Sequence, residues 1–237
     1  MLTLENITIT VAGQTVVSNC SFTVNTGQLQ VLTGQNGSGK SSLVHALCGH
    51  PEYTITLGTI TCNGQNITQA TPDERVKAGL FTVMQHAVAI PGLSILTFLY
   101  EVYRALGMQN MSAPEVQRTA LAAFETVGLD PALLYRDVHD GFSGGQKKRF
   151  ELAQLLLFKP SVMLLDEIDS GLDAHGIDTV VHVITLLRQA NQQTTILLIT
   201  HNQTLIERLQ PDHIYTLVAG NVLSSHIQSS SICEVAL

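Results

Sequence analysis

The chain has 237 residues, 45% of them hydrophobic, which is enough to bury a sizeable core and excludes intrinsic disorder. Charged residues make up only 13%, against about 25% in an ordinary soluble domain. The net charge of −7 excludes a broad basic nucleic-acid face, which needs clustered cations, and leaves room for a local phosphate site.

The start, Met1-Leu-Thr-Leu-Glu-Asn-Ile, has no basic segment followed by an apolar run, so a cytoplasmic location is expected. Over the first sixty or so residues, apolar and polar positions alternate in Leu2–Ile9, Val16–Val24, Gln30–Thr33 and Gly58–Cys62. These period-two runs predict strands of an antiparallel sheet beside the core. The stretch from Ala78 to Tyr100 carries no charge and imitates a membrane span, but it contains Gln85, His86 and a Pro91-Gly92 break. Polar groups and broken backbone are excluded from hydrocarbon. The stretch therefore reads as a buried strand, a loop and the start of a helix, with no direct insertion into a bilayer.

From about Glu101 to Leu134 the pattern becomes helical, with Val116, Ala120, Ala123, Phe124 and Val127 recurring at three and four. Beyond it, the apolar runs Val162–Leu165 and Thr195–Thr200 alternate with helical stretches around Gln146–Phe158 and Gly176–Ala190, which predicts βα units on a parallel sheet. Cys20, Cys48, Cys62 and Cys233 form no CxxC pair, so they read as small hydrophobes rather than a zinc site or a disulfide framework.

Four segments carry chemistry. Gly34-Gln35-Asn36-Gly37-Ser38-Gly39-Lys40-Ser41, followed by Ser42, fits G-x-x-x-x-G-K-[ST] between an apolar strand and an amphipathic stretch. Glycines let backbone N–H groups curl around phosphates, Lys40 balances β and γ charge, and the Ser41 hydroxyl suits Mg²⁺. Val162-Met-Leu-Leu-Asp166-Glu167 is a buried strand ending in two acids. Asp166 can orient water on Mg²⁺ and Glu167 can activate an attacking water. His201 ends the next apolar strand on the same edge and is a candidate γ-phosphate contact. Ser143-Gly144-Gly145-Gln146 precedes Lys147-Lys148-Arg149 at the start of an apolar helix. Three cations in a first turn oppose the macrodipole, and an anion facing the helix start would resolve the conflict.

Together these segments resemble the ATP-binding-cassette ATPases: Walker A at Gly34–Ser41, Q-loop Gln85, signature Ser143–Gln146, Walker B ending at Asp166-Glu167, D-loop Ser170–Asp173 and switch His201. Within that superfamily, Gly49–Tyr53, Gln85–Ser94, Gly141–Arg149 and Leu165–Asp173 resemble the ATPase subunits of the SUF iron–sulfur cluster assembly machinery. Two positions depart from the pattern. Gln146 stands where SUF ATPases usually carry Glu, and Thr10–Thr15 offers no aromatic ring for adenine, so that either base recognition is weaker or Val11 supplies only apolar contact.

The resemblance implies one α/β P-loop NTPase domain over 1–237. A catalytic core with an antiparallel β subdomain would occupy 1–85 and 159–237, and a helical subdomain about 86–158. It implies ATP and Mg²⁺ as ligands. Gly34–Ser42, Gln85, Ser143–Gln146 and Asp173 would contact nucleotide, and Ser41, Gln85 and water-mediated Asp166 would hold the metal. Lys40, Glu167 and His201 would act on the γ-phosphate. Each site would be composite, with ATP between the phosphate loop of one subunit and the signature of a second, and Asp173 in the contact. The implied partner is a SufB/SufD-type scaffold, docking on Gln85–Ser94 and the helical insert. A membrane importer's permease and a non-hydrolysing nucleotide switch are the rival readings.

Overall fold

A computed structural model describes residues 1–83, 88–108 and 111–225. Three strands, β1 (Leu2–Val11), β2 (Gln14–Val24) and β4 (Tyr53–Cys62), join the two-residue β5 (Gln65–Asn66) in an antiparallel sheet of order β2-β1-β4-β5. A second sheet collects β3 (Leu29–Thr33), β6 (Leu80–Val83), β9 (Val162–Asp166), β10 (Thr195–Ile199), β11 (His213–Val218) and β12 (Asn221–Ser225) in the order β12-β11-β3-β10-β9-β6. Its strands run parallel except for the β11–β12 hairpin. A small third sheet pairs β7 (Ile90–Ser94) with β8 (Asp137–Val138).

The alternating runs near the N-terminus do build the antiparallel sheet, with one correction. Leu29–Thr33 belongs to the parallel sheet, between β10 and β11. Its first four residues are all buried, the signature of a strand covered on both faces rather than one. The uncharged stretch resolves into β6, then β7, then the first two turns of α3 (Ile95–Ala105).

The remaining helices are α1 (Lys40–Cys48), α2 (Pro72–Lys77), α4 (Ala113–Val127), α5 (Gly144–Phe158), α6 (Ala174–Ala190) and α7 (Gln203–Leu209), with a 3₁₀ turn at Pro131–Tyr135. In α4 every residue of the apolar stripe is buried: Val116, Ala120, Ala123, Phe124 and Val127. Ser112 and Glu115 close a capping box at its start and Gly128 ends it in the left-handed region. Among the described residues no helix is long and apolar enough to cross a membrane.

The central strands separate two cores by their period of two. Met163 and Leu165 of β9 with Ile196 and Leu198 of β10 face the cluster shared by α3 to α7. Val162 and Leu164 with Leu197 and Ile199 face the opposite cluster, shared by α1 and the antiparallel sheet. One-residue slippage of either strand would exchange the faces. That fixes which side chain leaves each strand end, and β3, β9 and β10 end on the same edge.

Candidate nucleotide site

Helix α1 begins at the edge of the parallel sheet, just beyond β3. Gly34 and Gly39 make the approach possible. Gly34 has φ +151°, and a Cβ there would collide with the Leu217 carbonyl oxygen. Gly39 caps the helix at φ +104°, where a Cβ would meet the Val16 carbonyl oxygen at 3.0 Å. Both conformations are ones L side chains rarely adopt. The loop is tied to the β11–β12 turn by the bond from Gly220 N–H to Ser38 O at 3.0 Å, and that turn is tied to β2 by Ser18 N–H to Gly220 O at 2.9 Å.

Lys40 is only 6% exposed. Its ammonium donates to Gly34 O at 2.6 Å and Gln35 O at 2.9 Å, folding the first turn of the loop over the helix start. The Ser38 hydroxyl is buried with no partner among the described residues. A cleft of about 680 Å³ opens over this helix start, lined by Asn36, Gly37, Gly39, Lys40, Ser41, Ser42, Glu167 and His201 from the predicted set. Gly34, Gln35 and Ser38 line the adjoining hollow between the loop and β11.

Asp166, the last residue of β9, is 2% exposed and pairs in register with Ile199 of β10. The next residue, Glu167, reaches the cleft from a left-handed backbone at φ +45°. A non-glycine residue in that region carries about 1–3 kcal/mol of strain and persists only where its surroundings hold it. Its N–H donates to Ile199 O at 3.0 Å. His201 stands two residues past β10, so the ends of β3, β10 and β9 supply one cleft.

Ser143, Gly144, Gly145, Gln146 and Asp173 do not line that cleft. Ser143 and Gln146 cap α5 reciprocally: Gln146 N–H donates to Ser143 Oγ at 3.2 Å, and Ser143 N–H donates to Gln146 Oε1 at 2.9 Å. A glutamate would serve the same box, which accounts physically for glutamine at that position. Asp173 caps α6, accepting from Gly176 N–H at 2.8 Å. The cation cluster also differs from expectation. Lys148 is buried 3.9 Å from Glu151, and Arg149 donates to Gly128 O, the carbonyl ending α4, at 3.0 Å. Two of the three cations thus have partners inside the chain and require no external anion. Gln85 lies outside the described residues, as does Cys233. Cys20 and Cys62 are buried, and burial raises their thiols to about 12 and about 11.

Thr15, Val16, Ala219 and Gly220 complete the wall and carry no sequence signal. Val16, rather than Val11, presents the apolar surface. The hydroxyl of Ser41 and the buried carboxylate of Asp166 are hard oxygen donors suited to Mg²⁺, which keeps most of its shell as water and phosphate. Among the described residues there is no cluster of three or more His, Cys, Asp or Glu side chains to hold a transition metal.

The phosphate-loop helix, the acidic strand end and the parallel sheet define a P-loop ATPase. The family model of the ABC transporter matches residues 17–170, and the chain belongs to that family as one of its ATP-hydrolysing cassettes. A probable ATP-dependent transporter of Synechocystis, slr0075, is 36% identical over 95% of this chain and 89% of its own length. Vegetative protein 296 of Bacillus subtilis is 34% identical over 94% of this chain and 86% of its own. The fold matches that of a dimeric ATP-binding cassette, MJ0796, in a post-hydrolysis state with ADP and Pi. The TM-score is 0.83 at 21% identity, over 97% of this chain and 100% of that one.

Proposed function

We propose that this ATPase is of the SufC type, and that its ATP cycle drives conformational change in a cytoplasmic SufB/SufD-type scaffold during iron–sulfur cluster assembly. The observation that carries the catalytic part is the convergence of Lys40, Glu167 and His201 on one cleft. The segments Gly49–Tyr53, Gly141–Arg149 and Leu165–Asp173 support the choice of partner. On this reading the catalytic core and the antiparallel sheet occupy 1–85 and 159–237, and the helical part with the signature about 86–158.

In the mechanism, the loop amides of Gly34–Ser42 and the Lys40 ammonium hold the β and γ phosphates. Glu167 accepts the proton of a water aligned with the γ-phosphorus, and the bond to the ADP oxygen breaks as the new P–O bond forms. His201 bonds a γ-phosphate oxygen. Ser41, Gln85 and, through water, Asp166 would hold Mg²⁺, which neutralises developing phosphate charge. Ser143–Gln146 of a second copy closes over the nucleotide, with Asp173 in the contact, so hydrolysis follows dimerisation.

Glu167→Gln should retain ATP, lose turnover by about 100-fold or more and accumulate as an ATP-bound dimer in light scattering. A variant that stays monomeric at saturating ATP and turns over normally refutes the role. A second reading, the ATPase of a membrane transporter, is favoured by Gln146 and by the printed name of the Synechocystis relative. Affinity capture without detergent, with mass spectrometry of what is held, separates the two. SUF scaffold proteins support the proposal, and recovery of integral membrane proteins alone supports the rival.

A further inference from the structure

Asp169, like Glu151, is a buried acid among the described residues. It is 8% exposed, it follows the strand-end acids by two and three residues, and its Oδ1 has no hydrogen-bond partner among the described residues. Withdrawing a carboxylate from water costs several kcal/mol, so a chain that needed only filler would do better with an apolar residue. The other oxygen, Oδ2, accepts from the hydroxyl of Thr200 at 2.9 Å, a bond that is itself buried.

Thr200 immediately precedes His201 and is 1% exposed. Its hydroxyl oxygen accepts from the backbone N–H of Asn202 at 3.0 Å. Asn202 in turn caps α7, its Oδ1 accepting from Leu205 N–H at 3.2 Å. Both neighbours of His201 are therefore held, one by Asp169 and the other by Thr200 and the helix it caps. A carboxylate can only accept, so Asp169 fixes the direction of the Thr200 O–H and leaves the hydroxyl lone pairs for Asn202 N–H. At the other end, Asp169 sits in the turn that carries Glu167, closed by Ser170 N–H to Glu167 O at 3.0 Å and joined to β10 by Glu167 N–H to Ile199 O.

We infer that Asp169 is a positioning residue for hydrolysis: through its buried bond to Thr200 it locks the turn bearing His201 to the turn bearing Glu167. The inference rests on the proposed roles of those two residues. The lock sets the separation between the group that takes the water's proton and the group that meets the γ-phosphate. It binds no substrate, so its effect falls on turnover rather than on nucleotide affinity.

The test uses the full-length chain with Thr200→Val, Asp169→Ala, the double variant and Thr200→Ser. Thr200→Val is nearly isosteric and strands a buried carboxylate, so it should lower both melting temperature and kcat. In the double variant the stranded charge is gone and the melting temperature should recover part of the loss. Turnover should stay about 10- to 100-fold low, as expected for displaced catalytic groups, with ATP affinity within about twofold of wild type. Thr200→Ser keeps the hydroxyl and should restore kcat. Recovery of kcat along with the melting temperature in the double variant, or a loss confined to ATP affinity, overturns the inference. His201→Ala separates the layers. Wild-type turnover there removes the reading of His201 itself, whereas a low value beside a normal Thr200→Val removes only the lock.

Discussion

Arg75 is a buried cation with no acidic partner within the contacts described, and replacing it tests how the phosphate-loop helix is held. It sits in α2 at 4% exposure and directs its guanidinium to four backbone carbonyls. Nη1 donates to Ala46 O and Leu47 O, both at 2.7 Å, Nη2 to Thr68 O at 3.0 Å and Nε to Ala70 O at 2.9 Å. Ala46 and Leu47 lie in the last turn of α1, whose carbonyls have no helical successors. Leu47 O is the most dependent of them, because the residue four positions on is Pro51, which has no N–H. Ala46 O keeps a second donor, Gly49 N–H at 3.1 Å. The positive charge also lies at the negative end of the helix dipole.

Hydrogen bonds from charged groups contribute about 1.5–3 kcal/mol each, so the two buried bonds to α1 sum to about 3–6 kcal/mol. Burial lowers the Arg75 pKa from the usual guanidinium value, a sign that desolvation offsets part of this gain. We expect Arg75→Met to destabilise by about 3 kcal/mol, the upper range for single substitutions. For a chain of this size that shifts the thermal midpoint by about 6–12 °C. Arg75→Lys keeps the charge but presents three donors from one nitrogen, and should recover less than half. Urea midpoints at unchanged m-value measure both. A loss below about 1 kcal/mol for Arg75→Met, or full recovery with Lys, would refute the reasoning, since it would show that neither the carbonyl at Leu47 nor the fork geometry matters.

Burial raises Glu151 to about 7, against the opposing pull of Lys148 and Lys147. The folded chain therefore keeps a proton that the unfolded chain has released, and stability falls as pH rises from about 4.5 to 7. Burial, then Lys147, lowers His139 to about 4, so the unfolded chain takes up a proton that the folded chain refuses, and stability falls as pH drops from about 6.5 to 4. The two slopes oppose each other between pH 4.5 and 6.5. Glu151→Gln should leave a stability that rises with pH there, and His139→Leu one that falls, by about 1 kcal/mol per pH unit each. Parallel melting-temperature profiles for wild type and both variants would contradict this. On the proposed docking face, Ile90 is 40% exposed, and Ile90→Glu with Leu93→Glu should abolish scaffold capture while ATP affinity stays within about twofold. Loss of both would point to misfolding instead.

The elements that were legible in the sequence are those whose meaning is local. The phosphate loop needs glycines at particular spacings, and α4 announces itself through one apolar stripe. Gln30–Thr33 reads as a strand of the antiparallel sheet because a short alternating run says that a strand is there, but not between which neighbours. Thr15, Val16, Ala219 and Gly220 were missed for a related reason. They reach the cleft only because β12 folds back and its turn bonds to Ser18, a contact between residues about two hundred positions apart with no residue-type signature. The cations at Lys147–Arg149 misled in the opposite direction. Their clash with the helix dipole is real, but Glu151 and the carbonyl at Gly128 answer two of them from within the chain.

That last point bears on how a composite site could work. With Lys148 turned inward to Glu151 and Arg149 to Gly128, α5 offers a facing nucleotide, besides the Lys147 ammonium, mainly the Ser143 hydroxyl and the backbone N–H groups of its first turn. The hydroxyl and the N–H groups are dipolar donors without net charge, effective only when water is excluded and the geometry is tight. Lys40, by contrast, brings full charge from within its own subunit. A division of this kind makes phosphate binding a property of one copy and transition-state stabilisation a property of the closed pair. The Ser143–Gln146 capping box then matters twice, because by holding the Ser143 and Gln146 N–H groups it orients the Gly144 and Gly145 N–H groups between them, which would face the nucleotide. It also takes up the Ser143 hydroxyl as acceptor while leaving its O–H free to donate. Gln146→Ala should therefore loosen α5 only slightly, by about 1 kcal/mol, yet lower turnover of the dimer without weakening ATP binding to the isolated subunit.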